Sequence, residues 1–149
     1  MKYKLAIFDM DGTILDTLED LADGLNYVLS KYKYPVCSIE QVRSYVGNGI
    51  RRLIECGAPD GLSEDIINQM VEEFTPYYKA NCTNKTKPYE GIKPLLKTLK
   101  EQGCLVAVVS NKVDSAVKEL CNHYFPSVCL TALLENEKVF VRNQHLILY

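Results

Sequence analysis

The chain has 149 residues, 47% of them hydrophobic and 24% charged, with a formal net charge of −2. That length fits one domain, or a core carrying a small insert, and the composition is that of a soluble globular protein. A balance this close to neutral leaves no basic stripe for nucleic acid, and an anionic small substrate would need local cations or a metal.

Met1-Lys2-Tyr3-Lys4 leads straight into a strand-like segment, with no h-region or cleavage site behind it, so a signal peptide is not expected. Residues 4–9 read as a short buried strand ending in Asp9, broken by Gly12 and Thr13. From Leu18 the apolar positions Leu21, Ala22, Leu25, Val28, Leu29 and Tyr32 follow helical spacing, and Asp16 with Glu19 suggests a capping-box-like start. Pro35 closes that helix. Ser38 and Gln41 form a second capping box for a short helix through Tyr45, and Gly47-Asn48-Gly49 interrupts before a helix over residues 50–56. After Ser63, the residues Ile66, Ile67, Met70, Val71, Phe74, Tyr77 and Tyr78 make one apolar stripe. Residues 16–84 therefore read as a helical insert.

A turn over residues 88–91 precedes a helix with Pro94 in its first turn, an apolar face of Leu95, Leu96 and Leu99, and Gly103 at the C′ position. The β-branched run 104–110 predicts a central parallel strand covered on both faces, and its longest apolar stretch is far too short to span a bilayer. Residues 113–124 are again helical, with Ala116, Val117, Leu120, Cys121 and Tyr124 inward. Past Pro126 the pattern fits poorly, although Val139-Phe140-Val141 reads as a strand. The six cysteines form no CxxC pair, so reduced thiols, several of them buried, and a cytoplasmic setting are expected.

The sharpest signal is Phe8-Asp9-Met10-Asp11-Gly12-Thr13. An isolated Asp-x-Asp pair commonly ends a strand and caps a turn. Placed at the carboxyl end of a strand, where open α/β sheets bind ligands, it suits phosphoryl transfer. Asp9 can attack phosphorus to form an acyl phosphate, and Asp11 can protonate the leaving alkoxide and then deprotonate water. Two carboxylates beside a phosphate dianion repel by about 4 kcal/mol per pair at roughly 4 Å and an effective dielectric near 20. A hard cation such as Mg²⁺ offsets this. Ser110-Asn111-Lys112 offers a hydroxyl and backbone N–H groups after the second strand, a phosphate site or an ordinary helix N-cap. On residue pattern alone, Gly47-Asn48-Gly49 with Arg51 and Arg52 is a helix-breaking turn with solvated arginines.

The Asp9 motif, continued by Ile14-Leu15-Asp16-Thr17, resembles the signature of the haloacid dehalogenase superfamily, in its phosphoglycolate phosphatase-like branch. The resemblance implies an α/β fold: a Rossmann-like parallel sheet core from residues 1–15 and 85–149, with an inserted helical cap from 16–84. It implies a Mg²⁺-dependent phosphomonoester hydrolase acting on a small phosphorylated metabolite through an aspartyl phosphate. Asp9 and Asp11 are then the catalytic pair and the metal ligands, the second through its backbone carbonyl. Gly12, Thr13, Gly49, Arg51, Ser110 and Asn111 are the substrate-binding set. No nucleic acid or membrane partner is implied. A phosphomutase on the same scaffold and a non-catalytic phosphate-binding or regulatory domain are the alternatives. A receiver-type signalling domain fits less well, because it would return promptly to a second strand.

The resemblance covers residues 1 to about 126. The family's later Lys, in a Lys-Pro context, and its distal acidic residues are not found beyond that point. Reverse translation of residues 127–149, read two bases out of register, permits Gly-Leu-Phe-Asp and, after a short gap, Gly-Glu-Arg-Lys-Gly-Ile-Arg-Lys-Lys-Pro-Ala-Pro-Asp-Thr-Val. The expectation is a frameshift near Pro126 with early termination, the C-terminal part of the core missing, and little turnover. A natural divergent tail is the alternative.

Overall fold

The computed structural model describes residues 4–126, 130–135 and 138–141. Its elements in chain order are β1 (Leu5–Phe8), β2 (Leu15–Asp16), α1 (Leu18–Lys31), α2 (Ile39–Tyr45), α3 (Gly49–Gly57), α4 (Glu64–Asn81), β3 (Lys87–Pro88), α5 (Ile92–Glu101), β4 (Leu105–Val108), α6 (Asp114–Tyr124), β5 (Leu130–Glu135) and β6 (Lys138–Val141). This α/β chain divides into a sheet unit, Met1–Asp16 with Lys87–Tyr149, and a helical unit, Thr17–Thr86.

In the sheet unit the strand order is β1-β4-β5-β6. β1 and β4 run parallel with Phe8 opposite Val108, and β4 and β5 run parallel with Val108 opposite Thr131. β4 is thus flanked on both sides, and Val106, Ala107 and Val108 are buried, as a β-branched run between two neighbours requires. The strand is shorter than the expected span of 104–110. Leu105 is partly exposed, and beyond Val108 the ladder continues only through the Val109 N–H to the Phe8 carbonyl, 2.9 Å. Val139-Phe140-Val141 does form a strand, within β6, but it pairs antiparallel with β5, Leu133 opposite Phe140, and so departs from an all-parallel sheet. The tail expected to be out of register lies partly outside the described residues, namely 127–129, 136–137 and 142–149. Gly103 has the left-handed φ of 75° expected of a C′ glycine after α5. A second, two-stranded sheet pairs β2 with β3 antiparallel.

The helical unit has its own core. The buried stripe Leu21, Ala22, Leu25, Val28 and Leu29 of α1 packs against α4, which buries Ile67, Met70, Phe74 and Tyr78. Gly24 lets the helices close: a Cβ there would lie 2.8 Å from a ring carbon of the fully buried Phe74. The box at α2 is complete, with the Gln41 N–H donating to Ser38 Oγ at 3.3 Å and the Ser38 N–H to Gln41 Oε1 at 2.8 Å. The box expected from Asp16 and Glu19 is absent. Asp16 is still strand, paired with Lys87, so Thr17 becomes the N-cap of α1 and makes no side-chain cap bond.

The third helical residue, Asp20, does other work. Its buried carboxylate accepts the Lys85 N–H at 3.0 Å and the Thr86 N–H at 2.8 Å, clamping the exit of the unit beside its entrance. At the far end of α1, the Lys33 N–H bonds the Ser30 carbonyl and the Tyr34 N–H bonds the Leu29 carbonyl, a Schellman pattern. It holds Lys33 at φ 60°, the one non-glycine with positive φ among the described residues.

Candidate active site

Because Phe8 and Val108 are in register, the chain leaves β1 and β4 side by side. Asp9 follows β1 directly and is exposed, with its Oδ1 accepting the Met10 N–H at 2.7 Å. Met10 is fully buried and anchors the loop. Its carbonyl accepts N–H groups from Thr13 (3.3 Å), Ile14 (3.1 Å) and Leu15 (3.1 Å), while the Gly12 N–H bonds the Leu15 carbonyl at 2.9 Å. A turn this tight puts Gly12 at φ 75°, the left-handed region a Cβ disfavours, which is the local reason for glycine after Asp11. Gly12 and Thr13 face solvent.

On the β4 side, Ser110 is 6% exposed and its Oγ accepts the Lys112 N–H at 3.3 Å. Asn111 is exposed. The helix-cap reading of Ser110 does not hold, since α6 begins later, with Val113 as its N-cap. The hydroxyl instead orders the turn that carries Lys112 inward. Lys112 Nζ meets Asp11 Oδ1 at 3.2 Å, with the two side chains only 3% and 15% exposed. That ion pair joins the loop after β1 to the loop after β4. Sequence reasoning gave Lys112 no role and sought a cation far downstream. The signal was a lysine directly after Ser110-Asn111, and its partner was not readable from spacing.

The structure thus brings Asp9, Asp11, Gly12, Thr13, Ser110 and Asn111 onto two adjoining loops of the sheet unit. Gly49 and Arg51 belong to the helical unit. Gly49 opens α3 at φ 83°, and the Arg51 guanidinium is engaged within that unit by Glu55 at 3.0 Å, by Glu64, and by Asn68 at 2.7 Å. Arg52 pairs with Glu55 at 3.3 Å.

No group of three or more His, Cys, Asp or Glu side chains placed to hold a metal occurs among the described residues. The donors available at the loops are the two carboxylates and neighbouring backbone carbonyls. Hard oxygens in that number suit Mg²⁺, which keeps several waters and needs only one or two carboxylates from the protein. Among the described residues no helix is long and apolar enough to cross a membrane.

Residues 6–140 match the model of the haloacid dehalogenase-like hydrolases, so the match runs past Pro126. The phosphoglycolate phosphatase of Mannheimia succiniciproducens is 36% identical over 118 residues, covering 74% of this chain and 53% of that protein. That of Haemophilus influenzae strain 86-028NP gives the same identity and coverage. A crystal structure from Lactobacillus delbrueckii subsp. bulgaricus, provisionally named a phosphoglycolate phosphatase, superposes with a TM-score of 0.78 at 35% identity, over 90% of this chain and 65% of that one. The chain spans about half the length of the curated relatives it matches.

Proposed function

The chain belongs to the haloacid dehalogenase-like hydrolases, and from that premise we propose that the loops after β1 and β4 form the phosphoryl-transfer site of a cytoplasmic phosphomonoester hydrolase. Its substrate is a small phosphorylated metabolite of the phosphoglycolate kind, the substrate that the names of its relatives carry. The observation that carries the reading is the convergence of Asp9, Asp11 and Ser110 beyond the carboxyl ends of two parallel, registered strands.

In this reading an Asp9 carboxylate oxygen attacks phosphorus and the bond to the leaving oxygen breaks. The Asp11 carboxyl gives its proton to that oxygen, so the alcohol leaves neutral. Asp11, now a carboxylate, takes a proton from water as the water oxygen attacks the aspartyl phosphate, which releases inorganic phosphate and restores Asp9. Ser110 and Asn111 hold the phosphoryl oxygens, and Gly12 and Thr13, whose N–H groups are engaged within their own turn, border the same space. Asp9 and the backbone carbonyl of Asp11 would hold Mg²⁺, which when bound supplies positive charge against the carboxylates and the phosphate. The helical unit serves as the cap, and Gly49 and Arg51 are its proposed substrate-selecting residues.

The test is Mg²⁺-dependent capture of BeF₃⁻, a mimic of the phosphorylated carboxylate, followed by ¹⁹F NMR on the 149-residue protein. A bound signal is expected, and Asp9→Asn should abolish it while leaving the circular dichroism unchanged. A signal that survives Asp9→Asn would sink the assignment of the nucleophile.

A further inference from the structure

We propose that Lys112 is a positioning residue for Asp11, holding its carboxylate in the orientation that proton transfer requires; this rests on the phosphoryl-transfer reading above. Three observations carry it. The pair is short and nearly dry, with Lys112 Nζ 3.2 Å from Asp11 Oδ1 and the lysine side chain 3% exposed. A desolvated ammonium and carboxylate hold each other far more firmly than an exposed pair, because releasing either leaves an uncompensated buried charge.

The pair also joins two separately anchored loops. Lys112 leaves a turn fixed by Ser110 Oγ just after β4. Asp11 sits in the loop after β1, whose backbone is fixed through the Met10 carbonyl. Those backbone bonds place the Asp11 main chain, and its carboxylate meets Lys112 across the gap between the loops. A cation reaching in from the neighbouring loop thus bears directly on the orientation of that carboxylate. Finally, Lys112 is the buried lysine among the described residues, set apart from the exposed surface pairs of Lys31, Lys85, Lys97 and Lys118.

An acid or base acts as the proton moves, so its orientation matters in the transition state and little in the phosphorylated ground state. Two probes separate these stages. BeF₃⁻ on Asp9 mimics the aspartyl phosphate, whereas planar AlF₄⁻ with an apical water mimics the transition state, where Asp11 contacts the apical oxygen. Titrations of the 149-residue protein with each probe and Mg²⁺ are followed by ¹⁹F NMR. In Lys112→Met, BeF₃⁻ affinity should stay within about twofold of the parent while AlF₄⁻ capture weakens roughly 10- to 100-fold, the usual cost of losing a group that orients a working ligand. Lys112→Arg should recover most of the loss. If Lys112→Met does not fold, Lys112→Gln, which keeps length and a donor but no charge, is measured for the same split.

Equal weakening of both probes would overturn the proposal, since Lys112 would then bind the phosphoryl group itself. No weakening of either would overturn it too, leaving a purely structural ion pair. A parent protein that captures neither probe defeats the phosphoryl-transfer reading and this inference with it. A parent that captures both, with a variant that shows no split, defeats this inference alone.

Discussion

The two units solve different problems. The helical unit closes an apolar core of four helices, α1 against α4 at its centre, and Ser38 and Ser63 each cap their helix within three residues. The sheet unit joins strands from opposite ends of the described chain and places a charged pair, Asp11 and Lys112, where the helical unit would place a leucine. Local capping signals shape the helices of one unit, while the chemistry proposed for the other depends on long-range register. The contrast can be broken by mutations that act in one unit and are read in the other.

Phe74→Ala is the strongest such probe. Phe74 is fully buried, stacks on Tyr78 at a centroid distance of 5.4 Å and fills the space over Gly24. Its truncation should destabilise the helical unit by about 3–5 kcal/mol. Hydrogen exchange should show that loss in α1 and α4 while β1 and β4 amides keep their protection. Equal loss in the strands would mean that the two units unfold as one.

The left-handed positions give a finer comparison. Gly12 has φ 75° and open space around a would-be Cβ, so Gly12→Ala meets backbone strain rather than a clash and should cost about 1–2 kcal/mol. Urea melts would measure the loss, and BeF₃⁻ capture should fall as the Asp9 loop deforms. At Lys33 the sign reverses. A lysine already carries the left-handed strain at φ 60°, and Lys33→Gly should stabilise the helical unit by up to about 1 kcal/mol. A destabilised Lys33→Gly protein would show that the lysine side chain contributes more than its backbone costs.

What could be read in the sequence follows the same division. The helices of the insert are carried by local signals: the Ser38–Gln41 box, the cap at Ser63 and the stripe from Ile67 to Tyr78. The start of α1 misled, because β2 and β3 are two residues long and carry no period that could announce them. Local pattern therefore reads Asp16 as a cap where the fold makes it a strand end, and nothing near Asp20 announces its partners at Lys85 and Thr86. The Asp9 motif was legible because its spacing is short. Its connection to Lys112 was not, since it depends on β1 and β4 lying parallel in one register. Val139-Phe140-Val141 had strand composition, yet its direction depends on β5, which composition does not encode.

The Asp20 clamp bears on how the chain reaches its fold. Pairing β1 with β4 before anything else forms would mean closing the long segment between Phe8 and Leu105, and a flexible loop on the order of 100 residues adds about 4 kcal/mol of closure entropy. The inserted helices close shorter loops than that, α1 against α2, α2 against α3 and α3 against α4, besides α1 against α4. Once they assemble, the Asp20 carboxylate fastens Thr86 beside the first turn of α1, delivering Asp16 and Lys87 to each other. An insert that folds first would act as an internal splint, and the strand pairing that creates the Asp11–Lys112 contact would begin from ends already brought together.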